Sequence, residues 1–221
     1  MRLPSLDERL QSAASLFPAC RYGADIGADH GRLSCYLLAN DVCARMCVAD
    51  ISAESLQKAR RLLTLHALAP RADFCVGDGL TVLPEDAQCI AILGMGGHTL
   101  SSILQTGRDR LHGAKLVLSA HTELCLVRRT LEEMDYIIED ERIARAAGRF
   151  YVVLRACAGR ETLSERQRFL GPRLSEANQP RYAAFLRWRI GQTACGKTPE
   201  AAVRLQWLKE ESERVGDGLA D

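Results

Sequence analysis

Acidic residues, glycines or both recur at four points along this 221-residue chain, each time at the end of a short apolar run. The four segments span residues 25–31, 50–51, 77–79 and 94–97. A carboxylate accepts hydrogen bonds from ribose hydroxyls or from an amino group, and a glycine lets the backbone approach a bound molecule closely. An acid placed about 20 residues after a glycine-rich turn, as Asp50 is, is typical of ribose recognition. These residue types at this spacing predict a site for a nucleoside-type ligand.

Each segment also has a plainer interpretation. A glycine-rich turn can be no more than a tight connection after a strand, and the 77–79 segment can be a turn without a ligand. Asp50 can cap a helix that starts near residue 52, and the 94–97 segment can be a helix start. The first segment has the spacing G-x-x-x-G rather than G-x-G-x-x-G, which disfavours a nicotinamide cofactor. The four segments together favour a ligand, because all of them fall at predicted strand ends.

The elements that must position these segments alternate between strand and helix. Apolar runs typical of buried strands lie at 22–26, 45–50, 72–76, 87–94 and 114–120. Amphipathic stretches follow most of them, at 32–40, 52–67, 98–106 and 123–135. This alternation predicts a parallel sheet with helices on both faces and a ligand at the carboxyl ends of its strands. Two more strand-like runs, 136–144 and 149–156, are joined by four residues, which predicts an antiparallel last strand.

The predicted fold class is therefore α/β: a seven-stranded, mostly parallel Rossmann-like sheet with an antiparallel last strand and a small C-terminal helical appendage. A capping-box pattern, Ser5 with Glu8, predicts an N-terminal helix over residues 5–17. Strand-like runs stop after residue 158. Three helices are predicted beyond it, at 163–174, from Pro180, and over 203–215. We accordingly divide the chain into a sheet domain, 1–158, and a helical region, 159–221.

Composition and charge exclude several classes of protein. Hydrophobic residues make up 47% and charged residues 26%, as in ordinary globular proteins. No apolar run approaches the roughly 18 residues that a membrane span needs, and charges stand where a secretory signal would be apolar, so a cytoplasmic location is expected. Nine cysteines, an odd number, favour reduced thiols. Cys43 and Cys47 lack a second ligand pair nearby, so no metal site is expected.

The motifs together resemble those of the bacterial tRNA (adenine-22-N1)-methyltransferases, which are class I S-adenosylmethionine-dependent methyltransferases. The resemblance rests on Asp25-Ile-Gly-Ala-Asp-His30, Gly77-Asp-Gly-Leu80, Gly94-Met-Gly-Gly97, Leu6-Asp-Glu-Arg-Leu10 and Tyr151. It implies S-adenosyl-L-methionine as cofactor and tRNA as substrate. The cofactor-binding residues that it implies are Asp25, Gly27, Asp29, Gly31, Asp50, Ile51, Asp78, Gly79 and Gly94. Met95, Gly96 and Gly97 are expected to form one wall of the pocket for the target base.

Three features depart from the family pattern. Ser119-Ala-His-Thr122 stands where the family has a Gln-Pro-Asn-like or Ser-Pro-Gln-like segment, and Leu33-Ser34 stands where it has Leu-Pro. The C-terminal helices are also shorter than the family's coiled-coil arm. These departures bear on the target nucleotide more than on the cofactor. Two alternatives stay open: a methyltransferase of another RNA or of a small molecule, and a non-catalytic nucleotide- or RNA-binding module.

Methyl transfer is an in-line displacement, so an enzyme has to align the reactants and exclude water. Adenine N1 already carries a lone pair, but the ring becomes positively charged when it is methylated. A nearby carboxylate stabilises that charge. Asp29 is the first candidate for this catalytic role and His30 the second. Cofactor binding alone is an equally good role for Asp29.

A tRNA substrate requires contacts to phosphates, although the net charge of the whole chain is only +1. From residue 155 onward there are 12 basic and 9 acidic residues, which favours the helical region as the RNA-binding part. An ordinary solvated helical face is the alternative. The candidate contacts are Arg9, Arg173, Arg181 and Arg187, together with Arg2 and Arg189. We expect a monomer or a weak dimer.

Overall fold

The computed structural model describes residues 3–175 and 181–217, which form seven strands and eight α-helices. The strands are β1 (Cys20–Ile26), β2 (Cys43–Asp50), β3 (Ala72–Val76), β4 (Cys89–Met95), β5 (Lys115–Ala120), β6 (Tyr136–Ala146) and β7 (Arg149–Ala158). The helices are α1 (Glu8–Leu16), α2 (Arg32–Ala39), α3 (Ala53–Leu65), α4 (Gly97–Thr106), α5 (Leu124–Glu133), α6 (Glu165–Leu170), α7 (Tyr182–Thr193) and α8 (Pro199–Asp217).

All seven strands belong to one sheet with the order β3-β2-β1-β4-β5-β7-β6. The first five strands are parallel, and β1 lies between β2 and β4. The direction of the strand order reverses between β1 and β4, which opens a crevice at the carboxyl ends of these strands. The predicted seven-stranded, mostly parallel α/β fold is confirmed.

The last two strands form a long hairpin, and β7 pairs antiparallel with both β5 and β6. Both strands extend two residues past the C-terminal ends of the apolar runs, so only Ala147 and Gly148 connect β6 to β7. Both connecting residues have positive φ, at 47° and 76°. Such a two-residue turn follows the natural twist of a hairpin. The predicted antiparallel last strand is therefore confirmed.

The core lies on both faces of the sheet, as the near-continuous apolar runs of parallel strands require. Alternate residues of β4 divide between the two faces. Ile90 and Ile92 pack with α4 and α5, whereas Cys89 and Ala91 pack with residues of α1, α2 and α3. Helices pack on both faces of the sheet, so the loops at the strand ends extend from a well-packed core.

The N-terminal helix begins at Glu8, and the predicted capping box of Ser5 with Glu8 is wrong. Asp7 is the N-cap instead, and its Oδ1 accepts a hydrogen bond of 2.8 Å from the backbone N–H of Leu10. The carboxylate of Asp7 thus satisfies a helix-end donor that the Ser5 hydroxyl was expected to serve. The helix ends at Leu16, one residue before the predicted end at residue 17.

The helical region starts with a helix shorter than predicted. Helix α6 opens with a capping box of Ser164 and Gln167, and it ends before Gly171, whose φ is 109°. The prediction that this helix runs to residue 174 is therefore wrong, because the backbone turns sharply at that glycine. The predicted helix start at Pro180 lies outside the described residues, and α7 is described from Tyr182 onward.

The helical region shares its packing with the sheet domain. Leu163 belongs to the core cluster under β4 and β5, and Phe185 and Leu186 pack against β6 and β7. A buried ion pair of 2.7 Å joins Arg128 on α5 to Glu141 on β6. Arg128 also donates to the carbonyl of residue 168 at 2.7 Å. The boundary near residue 159 stays a prediction, and cutting the chain there would open this shared core.

Candidate active site at the strand ends

The sheet order brings the four acid- and glycine-bearing segments to one edge. The segments at 77–79, 50–51, 25–31 and 94–97 follow β3, β2, β1 and β4, which are neighbours in that order. A cavity of about 540 Å³ opens between the segments at 25–31 and 94–97. Its lining includes Asp25, Gly27, Asp29, His30, Gly94 and Arg9. These six predicted residues therefore share one cavity, whereas Asp78 and Gly79 line another one beside α4.

Asp50, the last residue of β2, holds the loop at 25–31 in place through a hydrogen bond. Its Oδ2 accepts a hydrogen bond of 2.9 Å from the backbone N–H of Asp29, and its Oδ1 accepts one of 2.8 Å from that of Ser52. A carboxylate has about four acceptor sites, so both oxygens can also accept from ribose hydroxyls. The cap of α3 is Ser52, so Asp50 is not the N-cap residue of that helix.

The two glycines of the first loop have different roles. Gly27 has φ of 72°, and a Cβ at this position would lie 3.2 Å from the terminal carbon of Met95, inside the crevice. Gly31 has φ of 66°, and a Cβ there would lie 2.8 Å from the Cβ of Ala59. Gly31 therefore allows α2 to pack closely on α3, whereas Gly27 keeps the crevice open.

Asp29 and His30 form a pair at the mouth of the cavity. The His30 Nδ1 lies 2.5 Å from the Asp29 Oδ2, and both side chains are more than half exposed. Asp29 has positive φ, at 48°, and its backbone N–H is the one held by Asp50. The loop therefore presents this pair to solvent at the mouth of the cavity.

Asp25 lies deeper, beneath the loop. It is only 4% exposed, and the Ser34 hydroxyl donates a hydrogen bond of 2.6 Å to its Oδ2. Burial raises the pKa of Asp25 to about 6, the Ser34 hydrogen bonds lower it in part, and the charge of Asp50 raises it slightly further. The Leu33-Ser34 departure thus gives the buried carboxylate its hydroxyl partner, which a proline could not supply.

Two exposed apolar side chains flank the acids on the other side of the crevice. Ile51 follows β2 and is 71% exposed, and Val76 ends β3 and is 58% exposed. Val76 pairs with Asp50 in the sheet, and Asp78 follows two residues later. An apolar surface beside two carboxylates suits a purine ring and its ribose. Val76 was not among the predicted site residues, because it is indistinguishable in sequence from any other strand residue.

The wall formed by residues 94–97 is braced by the segment after β5. The backbone N–H of His121 donates to the Met95 carbonyl at 2.9 Å. A Cβ on Gly97 would lie 2.6 Å from the carbonyl oxygen of Thr122, so only glycine fits there. The Gly96 carbonyl accepts from Leu100 inside α4. The Met95 and Gly96 carbonyls therefore each already accept one backbone hydrogen bond, which fixes the wall in place.

A cluster of Arg9, His121 and Tyr151 closes the crevice toward α1. The Arg9 Nη1 lies 3.3 Å from the His121 Nε2, and the His121 and Tyr151 rings meet edge-on at 5.4 Å. Because a guanidinium can only donate, Nε2 must be the acceptor and the neutral ring carries its proton on Nδ1. Burial, then the charges of Arg9 and Arg149, lower the pKa of His121. Sequence reasoning noted His121 only as a departure.

The structure separates the predicted tRNA-contacting arginines. Arg9 lies in the crevice itself. Arg173 is held by Glu161 at 2.9 Å and by the Ile138 carbonyl at 2.8 Å. Arg181 is exposed and forms an ion pair with Glu8, and Arg187 is exposed on α7. Arg2 lies outside the described residues.

Two further observations concern metals and membranes. Among the described residues, no three His, Cys, Asp or Glu side chains are grouped so that they could hold a metal ion. Within residues 3–175 and 181–217, none of the helices combines the length and the apolar character that crossing a membrane requires.

The chain is similar to known methyltransferases in sequence. Residues 6–154 match the family described as a methyltransferase domain. Over 156 residues, 70% of this chain, it is 34% identical to the tRNA (adenine(22)-N(1))-methyltransferase of Bacillus subtilis (strain 168). The matched part spans 66% of that protein's length.

It is also similar to solved structures over nearly its whole length. The B. subtilis m1A22 tRNA methyltransferase TrmK superposes with a TM-score of 0.79 at 26% identity, covering 98% of this chain and 99% of that one. Streptococcus pneumoniae Sp1610, a putative tRNA (m1A22) methyltransferase in complex with S-adenosyl-L-methionine, superposes with a TM-score of 0.87 at 24% identity. That comparison covers 94% of this chain and 100% of the other.

The antiparallel seventh strand, the acids at successive strand ends and the match over residues 6–154 define a methyltransferase domain. The further similarity to the B. subtilis protein confirms the resemblance found in the sequence motifs. The chain belongs to the bacterial tRNA (adenine-22-N1)-methyltransferase family.

Proposed function

We propose that this protein transfers a methyl group from S-adenosyl-L-methionine to N1 of an adenine in tRNA, at position 22. The observation that carries the proposal is the crevice between β1 and β4. There the loop at 25–31 and Gly94 line a cavity of about 540 Å³, and Asp50 holds that loop by accepting a hydrogen bond from the backbone N–H of Asp29, in a chain with 34% identity to an enzyme of that name.

The residues around the crevice fit this cofactor. Asp50 offers two oxygens to ribose hydroxyls, and Ile51 and Val76 offer an exposed apolar surface to the adenine, with Asp78 nearby for its amino group. Asp25, Gly27, Asp29 and Gly94 would surround the methionine end. Gly79 has φ of 53°, which lets the backbone turn beside the adenine position. Gly31 acts on the same site indirectly, through the packing of α2.

When it is bound, S-adenosylmethionine supplies an electrophilic methyl group on a positively charged sulfur. The residues of this chain would align N1 of the target base with it and exclude water. No strong base is needed to activate N1, because its lone pair is free. Asp29 lies where a carboxylate can oppose the positive charge that develops on the ring, and His30 holds that carboxylate in place.

The target base would lie against the wall at 94–97, with the Met95 side chain beside the ring. An adenine within a folded tRNA has to leave its stack to reach this wall. Arg9, already in the crevice, would contact the substrate next to the reacting base. Arg181 and Arg187 would contact phosphates further out, while Arg173 would act mainly by fixing the chain around the sheet edge.

We further propose that the protein acts in the cytoplasm as a monomer or weak dimer. All nine cysteines are free thiols, and reduced thiols are typical of a reducing compartment.

The proposal is tested by incubating the purified chain with S-adenosylmethionine carrying a labelled methyl group and with tRNA, a ribosomal RNA fragment or no RNA. We expect label in tRNA only, released by nuclease as 1-methyladenosine. Calorimetry on the same preparation checks cofactor binding. Cofactor binding without transfer to tRNA would contradict the proposed substrate, and label in the ribosomal fragment would favour the alternative of another RNA.

A further inference from the structure

A second cavity, of about 370 Å³, lies between the sheet domain and the helical region. The starts of α5 and β7 form one side, and α7 and α8 form the other. Its lining includes His121, Tyr151, Phe150, Trp188, Arg189 and Arg204. His121 also lines the cavity of about 540 Å³ beside the loop at 25–31. The two cavities are therefore neighbours, with the His121 side chain between them. The volume lies in the range of small-ligand sites and is far too small for a duplex.

The lining of this cavity is basic. Arg149, Arg189 and Arg204 all line it, and within the described parts of the chain none of the three forms an ion pair with a carboxylate. Arg128 lines it too, but its charge is matched by the buried Glu141. The single acid in the lining is Glu123. The cavity therefore carries an excess of positive charge that a bound anion would neutralise.

Arg189 is the most buried of Arg149, Arg189 and Arg204, and its contacts within the cavity do not include a carboxylate. Its Nη1 donates to the Phe169 carbonyl at 2.9 Å, and its guanidinium lies 4.1 Å from the centroid of the Phe169 ring. Burial, then the charge of Arg128, lowers the pKa of Arg189 to about 10, so it stays charged at neutral pH. A partly buried charge with a carbonyl and a ring as its partners is stabilised further when a phosphate binds nearby.

Aromatic rings stand beside these arginines. The Trp188 ring lies 5.6 Å from that of Phe150 and 6.2 Å from that of Phe185. Basic side chains interleaved with aromatic rings are the combination that binds single-stranded nucleic acid, because the cations contact phosphates and the rings stack on bases. The same cavity offers both.

We infer that this cavity is a second nucleotide subsite, which holds the phosphate and base of a nucleotide that adjoins the target adenine in the RNA. The inference rests on the proposed function, because the neighbouring cavity across His121 must then hold the reacting adenine. Nucleotides that are linked in one strand have to occupy adjacent sites. Arg149 and Arg204 contact the phosphate, Arg189 supports it from within, and Trp188 stacks on the base.

The test uses the fluorescence of Trp188 to report whether RNA binds in this cavity. The chain has two tryptophans, and the other, Trp207, packs on Phe169 outside the lining of this cavity. In a Trp207→Phe protein, Trp188 is therefore the only tryptophan. We expect its fluorescence to change when an unmodified tRNA transcript is titrated in, with S-adenosylhomocysteine present to prevent turnover.

Arg149→Gln and Arg204→Gln on this background should each weaken tRNA binding about tenfold, as for the loss of one charged hydrogen bond. Each should also reduce the slope of log affinity against log salt by about 0.7 to 0.9. Arg61→Gln is the matched control, because this exposed arginine lies on α3 at the opposite half of the sheet. Urea unfolding of each variant checks that it folds.

Unchanged tRNA affinity in both Arg149→Gln and Arg204→Gln, or no response of Trp188 to tRNA, would overturn the subsite. Equal losses in both variants and in Arg61→Gln would overturn it too, because the effect would then be one of overall charge. Failure of the proposed function is a separate result: the unaltered chain would transfer no methyl group to tRNA. In that case the titration of Trp188 still decides whether the cavity binds RNA.

Discussion

Replacing Asp25 by asparagine should make the protein more stable at neutral pH and less able to bind its cofactor. The pKa of this buried carboxyl rises from 3.8 to about 6 on folding, mainly through burial. Each pKa unit corresponds to about 1.4 kcal/mol, so keeping Asp25 ionised in the folded state costs roughly 3 kcal/mol. Asparagine is close in shape, can still accept the hydrogen bond from Ser34, and carries no charge to desolvate.

The sign of the pH dependence follows from proton binding. Between pH 3.8 and about 6 the folded state binds more protons at Asp25 than the unfolded state does. The contribution of Asp25 to stability is therefore greatest below this window and falls as the pH rises through it. The stability advantage of Asp25→Asn should grow by roughly 3 kcal/mol across the window, with about half of that growth complete near pH 5.

The assay is urea unfolding of the two proteins at a series of pH values from about 4 to 7.5, because the difference between them cancels the titration of all other groups. Ser34→Ala is the matched control. It removes the hydroxyl hydrogen bond that lowers the pKa of Asp25 and keeps the one from the backbone N–H, so it should reduce stability at neutral pH. A stability difference between Asp25→Asn and the unaltered chain that does not change with pH would refute the reasoning.

Three further predictions concern the crevice. Asp50→Ala should weaken binding of S-adenosylmethionine by about 1.5–3 kcal/mol, because it removes a charged acceptor and frees the backbone N–H of Asp29; unchanged affinity in calorimetry would remove Asp50 from the site. Asp29→Asn should lower the single-turnover rate at saturating cofactor roughly 100-fold, whereas a near-normal rate there would leave Asp29 with a binding role only. Arg9→Gln should raise the pKa of His121, since a positive charge next to the ring is lost. An unchanged His121 pKa in an NMR titration of the variant would contradict the contact between Arg9 and His121.

The fold was predictable because its signals are local. The parallel strands β1, β2, β4 and β5 are largely buried apolar runs. Helices α3, α4 and α5 each bury a stripe of residues spaced three or four apart. The four residues between the last two runs were sufficient to indicate the hairpin. The errors came where two local signals compete: Asp7 and Ser5 can both cap α1, and the chain uses Asp7.

The candidate site was predictable only in part, for the same reason. The segments at 25–31, 50–51, 77–79 and 94–97 carry their own signals, and the sheet order brings them together. The contact between Arg9 and His121 joins residues that are 112 positions apart, so no local sequence pattern predicts it. The hydroxyl of Ser34 acquires its role only because α2 packs over the buried Asp25.

The central claim is that this protein methylates N1 of adenine 22 in tRNA, and one measurement tests it most directly. Two transcripts of one tRNA, with adenine or guanine at position 22, are incubated with the purified chain and S-adenosylmethionine, and modified positions are mapped by primer extension and mass spectrometry. We expect a block to extension at position 22 and 1-methyladenosine in the first transcript, and neither in the second. Methylation at another position, or the same yield from both transcripts, would contradict it.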